Sequence, residues 1–225
     1  LTNIQIDYDF GVECRVPKIG DKKKLVDLAI KNALFFKKEK VVQTDPDFYR
    51  EKRVLQKLQE DLQLKNLPEH IECFDNSNLQ GSNPVASMVC FKRGKPSKGD
   101  YRKFNIKTVE GPNDFASMKE IVERRYKRLL EEQQKLPDLI VVDGGKGQLS
   151  ASVEALKGLN IYGQLPIIGL AKRLEEIFFP EDQFPVYIHK KSESLKLLQH
   201  IRNEAHRFAI TFHRQKRSKS ALTSQ

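Results

Sequence analysis

An uninterrupted apolar segment at positions 139–142 restricts the possible folds of this chain more than any other feature of the sequence. It reads Leu-Ile-Val-Val and lies between Pro137 and an Asp-Gly-Gly turn at 143–145. An apolar run of this length without polar alternation is typical of a strand that is buried on both faces of a sheet. A helix is predicted directly before it, at about 115–134, so we expect this strand to lie parallel to an earlier one. The segment therefore indicates an α/β fold with helices covering the sheet.

The elements around this strand follow a definite order. Strands are predicted at 71–75, 85–91 and 101–109, and their short connecting loops indicate an antiparallel meander. The elements predicted after the run are a helix at 150–156, a strand at 166–171, a small hairpin at 178–180 and 186–189, and a last helix from Ser192 or Ser194 to about 213. The resulting β-β-β-α-β-α-β-α order is that of the RNase H-like fold, a mixed five-stranded sheet flanked by helices.

Three segments of the chain are predicted to differ in role. Residues 69–213 form the RNase H-like core, and residues 1–68 form a small N-terminal α/β extension that packs on it. The elements expected in the extension are a strand at 12–16, a helix from Asp21 to about 38, and a second helix capped by Asp45 or Asp47. Residues 214–225 are basic and rich in Ser, which predicts a linker toward a further DNA-binding module.

The charge distribution favours a polyanionic partner. Forty Lys and Arg against thirty Asp and Glu give a net charge of +10. The segment 92–107 carries seven basic residues and one acidic residue, and the segment 190–219 carries nine and two. These two segments account for more than the whole excess, as expected if particular surfaces face phosphates.

Other compositional features exclude several classes of protein. No apolar run approaches the roughly 18–20 residues that span a bilayer, and no signal-peptide pattern is present, so we expect a cytoplasmic protein without a membrane partner. The three cysteines, Cys14, Cys73 and Cys90, contain no Cys-x-x-Cys pair. Their spacing indicates buried thiols rather than a disulfide framework or a zinc site.

Asp75 and Asp143 are the main candidates for chemistry. Each stands at the C-terminal end of a predicted apolar strand. If the two strands are parallel neighbours, about 4.8 Å apart, their carboxylates share one small space and repel. A hard divalent cation such as Mg²⁺ or Mn²⁺ would relieve that repulsion. For each aspartate alone, a turn or cap role is the simpler interpretation, and the pairing favours the metal site.

Two further candidates cannot be assigned from their local sequence. Asp114 precedes the helix at 115–134, where an ordinary N-cap is an equally good interpretation. His206 shares a face of the last helix with Arg202 and His213, beside the apolar stripe that is expected to pack on the sheet. A lone helical histidine is more often a surface residue, although this polar edge raises the odds of a site.

The glycine-rich loop at 143–148 allows a competing interpretation. Its backbone N–H groups and Lys146 are suited to hold a phosphate at the start of a helix. The loop lacks the Gly-x-x-x-x-Gly-Lys-Ser/Thr pattern of a nucleotide-binding P-loop. A nucleotide-binding protein therefore stays a third hypothesis, and it predicts that the chain binds ATP.

Four segments together resemble one known family. They are, in order, Glu-Cys-Phe-Asp-Asn-Ser-Asn at 72–78, Gly-Asp-Tyr-Arg-Lys-Phe at 99–104, Asp-Gly-Gly-Lys-Gly-Gln at 143–148 and Arg-Asn-Glu-Ala-His-Arg at 202–207. In this combination, residues 10–217 resemble the C-terminal nuclease half of the UvrC family, the C subunit of the bacterial UvrABC excinuclease.

The resemblance implies specific roles for several residues. It assigns Asp75, Asp143 and His206 to a metal triad for Mg²⁺ or Mn²⁺, and Asp114 to a further acidic position that activity requires. It also implies incision of damaged double-stranded DNA on the 5′ side of a lesion, in a strand engaged by UvrB. Basic residues at the motifs are then candidates for phosphate contact: Arg102, Lys103, Lys146, Arg202 and Arg207.

This sequence departs from the family pattern at one position. Asn78 stands where the first motif commonly has His, which puts any substrate contact by that histidine in doubt. We expect the family's N-terminal GIY-YIG nuclease, UvrB-binding hairpin and C-terminal helix-hairpin-helix pair to lie outside this chain. The alternative function, from another class, is a non-catalytic DNA-binding module in which the acids only cap helices.

Overall fold

The computed structural model describes residues 16–76, 85–106, 113–172 and 174–223. For 38–44, 85 and 213–223 it describes the backbone alone. Residues 12–15 of the strand predicted at 12–16, the motif position Asn78 and the side chain of His213 lie outside these bounds. The chain divides into two compact units, Leu1–Tyr49 and Arg50–Gln225.

The described part of the first unit is helical. Helix α1 spans Gly20–Thr44, and α2 spans Pro46–Asp61 and continues into the second unit. The side chain of Asp45 accepts a 3.0 Å hydrogen bond from the backbone N–H of Phe48, so Asp45 provides the predicted cap. Beyond the unit boundary, Leu55 and Leu58 of α2 are buried in the core of the second unit. The division therefore falls before the expected boundary at 68.

The second unit contains one sheet and three long helices. Its elements are β1 (His70–Asp75), β2 (Val85–Lys92), β3 (Lys95–Pro96), β4 (Arg102–Asn105), α3 (Asp114–Glu131), β5 (Leu139–Asp143), α4 (Lys146–Gly158), β6 (Ile167–Ala171), β7 (Glu176–Phe178) and α5 (Glu193–Thr223). The strand order is β3-β2-β1-β5-β6-β7, and β4 also pairs with β2. The β1–β5 and β5–β6 pairs are parallel, and the others are antiparallel.

This topology agrees with the predicted RNase H-like order and adds two short strands. The sheet has seven strands instead of five, because β3 and β7 pair at its two edges. The hairpin predicted at 178–180 and 186–189 is reduced to β7 and a single bridge between Ile177 and Val186. Two short edge strands limit exposed backbone without changing the central order.

Side-chain alternation along β1 separates the two faces of the sheet. Glu72 and Phe74 point to α3, where each contacts Tyr126. Asp75 points to the opposite face, toward α5. In a strand, successive side chains alternate between the two faces, so the residues of β1 divide between two helical layers. The core has three layers, with helices on both faces of the sheet, and α5 covers the face on which Asp75 lies.

Helix α5 is longer than the sequence predicts. The sequence predicts a linker at 214–225, whereas the helix continues to Thr223. Residues 214–223 contain neither Gly nor Pro, so nothing in the sequence stops the helix after 213. Among the described residues, no helix is both long and apolar enough to cross a membrane.

Candidate metal centre

Two aspartates end neighbouring parallel strands at one edge of the sheet. Asp75 is the last residue of β1, and Asp143 is the last residue of β5. The register of the two strands pairs Phe74 with Val142, so the next residue along each strand is one of the aspartates. Parallel neighbours lie about 4.8 Å apart. The structure therefore brings the two carboxylates together on the face that α5 covers.

His206 approaches this pair from α5. Its Nδ1 lies 3.2 Å from Oδ2 of Asp75. One residue earlier, the backbone carbonyl of Ala205 accepts a 3.3 Å hydrogen bond from Ser87 of β2, which seats the helix on the sheet. The Asp75 side chain is 5% exposed and that of His206 is 42% exposed. The site is therefore buried on the strand side and open to solvent on the helix side.

The electrostatics of the pair favour a positive ligand. Burial, together with the neighbouring charge of Asp75, raises the pKa of Asp143 to about 7. The positive charges of Arg202, His206 and Lys172 act in the opposite direction and only partly offset these effects. Two carboxylates held this close disfavour double ionisation unless a cation neutralises them.

The ligand atoms fit a divalent cation. One ligand atom from each of Asp75, Asp143 and His206 lies within 4.8 Å of the others, and no other such group occurs among the described residues. Carboxylate oxygens are suited to Mg²⁺ and Mn²⁺, and an imidazole nitrogen is a common additional ligand for transition metals. The three side chains can therefore hold a divalent ion on a face that a substrate can reach.

Asp114 lies near this centre but outside the ligand group. Its backbone carbonyl accepts a 2.8 Å hydrogen bond from Nδ2 of Asn76, the residue after Asp75. The N-cap of α3 is Asn113, whose side chain accepts a 3.0 Å hydrogen bond from the N–H of Ala116. The prediction of Asp114 as an N-cap is therefore wrong by one residue, because the asparagine makes that bond and Asp114 begins the helix.

Arg202 does not fit the predicted contact with DNA. It is 5% exposed, and its guanidinium forms a two-pronged ion pair with Glu175, at 2.7 Å and 3.1 Å. Such a geometry occupies the donors that a phosphate would need. Glu175 follows β6 in a left-handed backbone conformation, with φ of 56°. The pair therefore fixes α5 to the turn between β6 and β7.

The glycine-rich loop packs closely at the start of α4. Helix α4 begins at Lys146 with Gly145 as its N-cap, earlier than the predicted start at 150. A side chain on Gly169 would meet the carbonyl of Gly144 at 3.0 Å, so β6 and the loop approach through bare backbone. The ammonium of Lys146 is exposed, bonds to the carbonyl of Gln183 and lies 5.7 Å from the centre of the Phe178 ring.

Other predicted DNA contacts lie on the exposed surfaces of β4 and α5. Lys103 lies 5.4 Å from the centre of the Phe208 ring and 4.9 Å from that of Phe212. Arg102 is exposed and donates to the carbonyls of Gly99 and Tyr101. These two cations are accessible to a phosphate backbone.

Arg207 lies on the exposed side of α5 and already has an acidic partner. Its guanidinium pairs with Glu204 through two 2.7 Å hydrogen bonds. Glu204 also accepts a 3.0 Å hydrogen bond from the hydroxyl of Tyr101, which connects α5 to the start of β4. A phosphate bound at Arg207 would therefore compete with Glu204 or share the guanidinium with it.

A second buried acid was missed by sequence reasoning. Glu72 is fully buried, and Arg125 donates to both of its carboxylate oxygens, at 2.5 Å and 3.3 Å. Tyr126 donates a further hydrogen bond of 3.1 Å, and Nε2 of His70 makes a longer contact of 3.6 Å. Burial alone would raise the pKa of Glu72, but His70 and Arg125 outweigh it and lower that pKa. An acid inside an apolar strand was the signal that could have revealed this cluster.

Comparison with known proteins decides the family. The family model of the UvrC RNase H endonuclease domain matches residues 59–210, which is more than half of the chain.

The chain belongs to the UvrC family.

Curated relatives agree along the whole length. The chain is 66% identical to the UvrABC system protein C of Cytophaga hutchinsonii, with 99% of the chain and 37% of that protein covered. It is 61% identical to that of Christiangramia forsetii, covering 100% of the chain and 38% of the relative. The chain thus spans less than two fifths of the UvrC proteins it matches, and within them it carries the endonuclease domain.

Solved structures show a weaker likeness. A human ENDOV structure is 15% identical and covers 77% of this chain and 99% of its own, with a TM-score of 0.39. The endonuclease V of Bacillus subtilis is 12% identical and covers 71% and 91%, with a TM-score of 0.38. The RNase H-like assignment rests on the sheet order and on the family match.

Proposed function

We propose that this UvrC domain is a metal-dependent DNA endonuclease whose centre is formed by Asp75, Asp143 and His206. The observation that supports the proposal is the convergence of three ligand atoms, all within 4.8 Å of one another, at the carboxyl edge of the sheet. The pKa of Asp143, raised to about 7, supports the proposal further, because it indicates that the protein alone does not neutralise Asp75 and Asp143. Mg²⁺ or Mn²⁺ is the proposed cofactor.

A divalent ion bound there would supply Lewis-acid polarisation of the phosphate and an activated water at neutral pH. The residues of this chain provide the rest. Asp75 and Asp143 lie on rigid strands, so the ligands are held in place before substrate arrives. His206 lies on the solvent side and leaves that side open to a DNA strand. The backbone of Asp114 is held by the hydrogen bond from Asn76, and Asp114 assists the three ligands in holding the ion.

The proposed DNA surface follows the exposed cations. Lys146 begins α4, three residues after Asp143, and Lys103, Arg102 and Arg207 extend the proposed surface along β4 and α5. We expect these residues to contact phosphates, so binding should depend on salt and read little sequence. Arg202 is left out of this surface, since Glu175 occupies its guanidinium.

We further propose that the domain incises damaged double-stranded DNA on the 5′ side of a lesion, with UvrB as partner on the DNA. Support for this assignment comes from the family of the chain, because the relatives carry the name UvrABC system protein C. The cytoplasmic location expected from the sequence stays a prediction.

The test is incision of an end-labelled, lesion-containing duplex by a full-length UvrC protein that carries this chain, with its partner proteins. We expect Asp143→Asn to lower the 5′ incision rate by about a thousandfold, as loss of roughly 4 kcal/mol of transition-state stabilisation would. Binding of the duplex should stay within a few fold. Asp182→Asn, an exposed acid in the loop before α5, serves as the matched control. Incision by Asp143→Asn at the control rate would instead favour the non-catalytic DNA-binding module.

A further inference from the structure

Phe115 combines a fixed position with an exposed ring. It is the second residue of α3, whose start is fixed by the Asn113 cap and by the hydrogen bond from Asn76 to the Asp114 carbonyl. Even so, 53% of Phe115 is exposed. An exposed apolar residue alone needs no explanation, but this ring is also fitted to a neighbouring element.

The ring of Phe115 lies directly on Gly147 of α4. A Cβ atom at Gly147 would be 2.3 Å from Cε1 and 2.6 Å from Cζ of the ring, which is closer than real atoms approach. Glycine at this position therefore lets the ring rest on bare backbone. One edge of the ring is held there, and the rest of it faces solvent.

The two helices that hold the ring, α3 and α4, are each connected to a strand of the proposed metal centre. On one side, Asn76 follows Asp75 directly and bonds to the residue before Phe115. On the other side, Gly147 lies four residues after Asp143, and the exposed Lys146 precedes it. An exposed aromatic face thus lies between the two segments that continue from Asp75 and from Asp143. Nucleic-acid-binding proteins use exposed aromatic rings to stack bases, together with basic surfaces that contact the backbone.

We propose that Phe115 is a positioning residue that stacks on a DNA base adjacent to the phosphate held at the Asp75–Asp143–His206 centre. This inference rests on the proposed function. Stacking on a ring that is already fixed costs little additional ordering and so strengthens binding of the strand at the centre. A base presents a π-face whatever its identity, so the contact favours no particular sequence.

The experiment uses a full-length UvrC protein that carries this chain, assembled with UvrB on a damaged duplex. The base analogue 2-aminopurine is placed at each position within three nucleotides of the 5′ cut, and an Asp143→Asn background prevents cleavage. We expect strong quenching of the fluorescence at one adjacent position. That quenching should be lost in Phe115→Ala and kept in Phe115→Tyr. It should also be lost in Phe115→Leu, which still covers Gly147 but cannot stack.

Steady-state incision without the background change gives a second readout. Phe115→Ala should raise KM for the duplex about tenfold and leave kcat within about twofold, because stacking strengthens binding of the strand. Gly147→Ala, which displaces the ring, should have a similar effect. The double variant should be no worse than either single variant, since both remove one contact. Phe48→Ala, another exposed phenylalanine, is the matched control.

Quenching that persists in Phe115→Ala, or full function in Phe115→Leu, would overturn the inference, because the ring would then only fill space over Gly147. A fall in kcat with unchanged KM would also overturn it and assign Phe115 to the support of Asp114. These failures are distinguishable from failure of the proposed function. In that case Asp143→Asn itself would cut at the normal rate.

Discussion

Glu72 and Asp75 lie three residues apart on β1 and occupy opposite electrostatic environments. Glu72 faces α3, where Arg125 and Tyr126 bond to its carboxylate and its pKa is lowered. Asp75 faces α5, where its nearest acidic neighbour, Asp143, has a pKa raised to about 7. Both acids are almost completely buried. The protein neutralises the first charge itself, and for the second pair we propose an external cation.

This difference separates a structural acid from an acid that is proposed to act in function. A buried carboxylate with a full set of partners belongs to the fold, and those of Glu72 come from α3 and from His70 of its own strand. A buried pair without sufficient positive charge costs folding free energy and persists where a ligand offsets it. The same strand thus serves packing on one face and carries a proposed metal ligand on the other. Replacing each carboxylate by an amide should therefore change stability in opposite directions.

The largest expected effect on stability is at Glu72. Glu72→Gln leaves the guanidinium of Arg125 buried without its counter-charge, so the free energy of unfolding should fall by about 3–5 kcal/mol. Urea unfolding followed by circular dichroism measures the change, and the exposed Glu69→Gln is the matched control. A loss below about 1 kcal/mol would show that water or relaxation compensates Arg125 and would weaken the comparison.

The reverse effect is expected at Asp143. In EDTA at pH 8, Asp143→Asn removes a buried negative charge next to Asp75, so the free energy of unfolding should rise by about 1–3 kcal/mol. At pH 5 the gain should largely disappear, because Asp143 of the wild-type protein is already protonated there. Paired urea titrations at the two pH values test this. A destabilising effect at pH 8 would mean that the ionised carboxylate has partners in the native state.

The pH dependence of the metal-free protein follows from the same shift. The pKa of Asp143 is about 7 in the folded chain against an ordinary 3.8, so folding takes up a proton between these values. The contribution of this group to stability should therefore be greatest below pH 3.8 and fall as the pH rises from there to about 7. With excess Mn²⁺ the trend should reverse, because the ligands must be deprotonated to bind.

Thermal unfolding in EDTA and in Mn²⁺, recorded across this pH range, measures both trends. Asp143→Asn is the control, and its pH slope in EDTA should be smaller. An identical slope in the variant would assign the pH dependence to another group.

The smallest expected effect concerns an exposed cation. Lys103 lies on β4 beside two phenylalanine rings of α5. Arg125, in contrast, forms an ion pair with the buried Glu72. Lys103→Ala should weaken duplex binding modestly and reduce the slope of log affinity against log salt by about 1. Fluorescence anisotropy at several salt concentrations measures this slope. Lys135→Ala, an 81% exposed lysine at the amino end of β5, should leave the slope unchanged.

Much of the fold could be predicted because its signals are local. The apolar run before Asp143 and the preceding helix required a parallel strand, and that requirement placed Asp75 beside Asp143. His206 is different. Its position next to Asp75 depends on how α5 crosses the sheet, which no local pattern determines, and only the family resemblance indicated it.

The features that the sequence did not reveal are ion pairs between residues that lie far apart in the chain. Arg202 looked like a DNA contact because it is basic and lies in a motif, but its partner Glu175 is 27 residues away. The Glu72–Arg125 pair spans 53 residues. Sequence shows that a charge falls on a buried face, but it does not show which distant residue neutralises it.

The most direct test of the metal centre is a crystal structure of the chain grown with Mn²⁺, with anomalous scattering used to locate the ion. We predict an anomalous peak at about 2 Å from one oxygen of Asp75, one oxygen of Asp143 and a ring nitrogen of His206. The peak should be absent in Asp143→Asn crystals grown in the same way. A wild-type structure with no peak at these residues, or with manganese only elsewhere, would contradict the account.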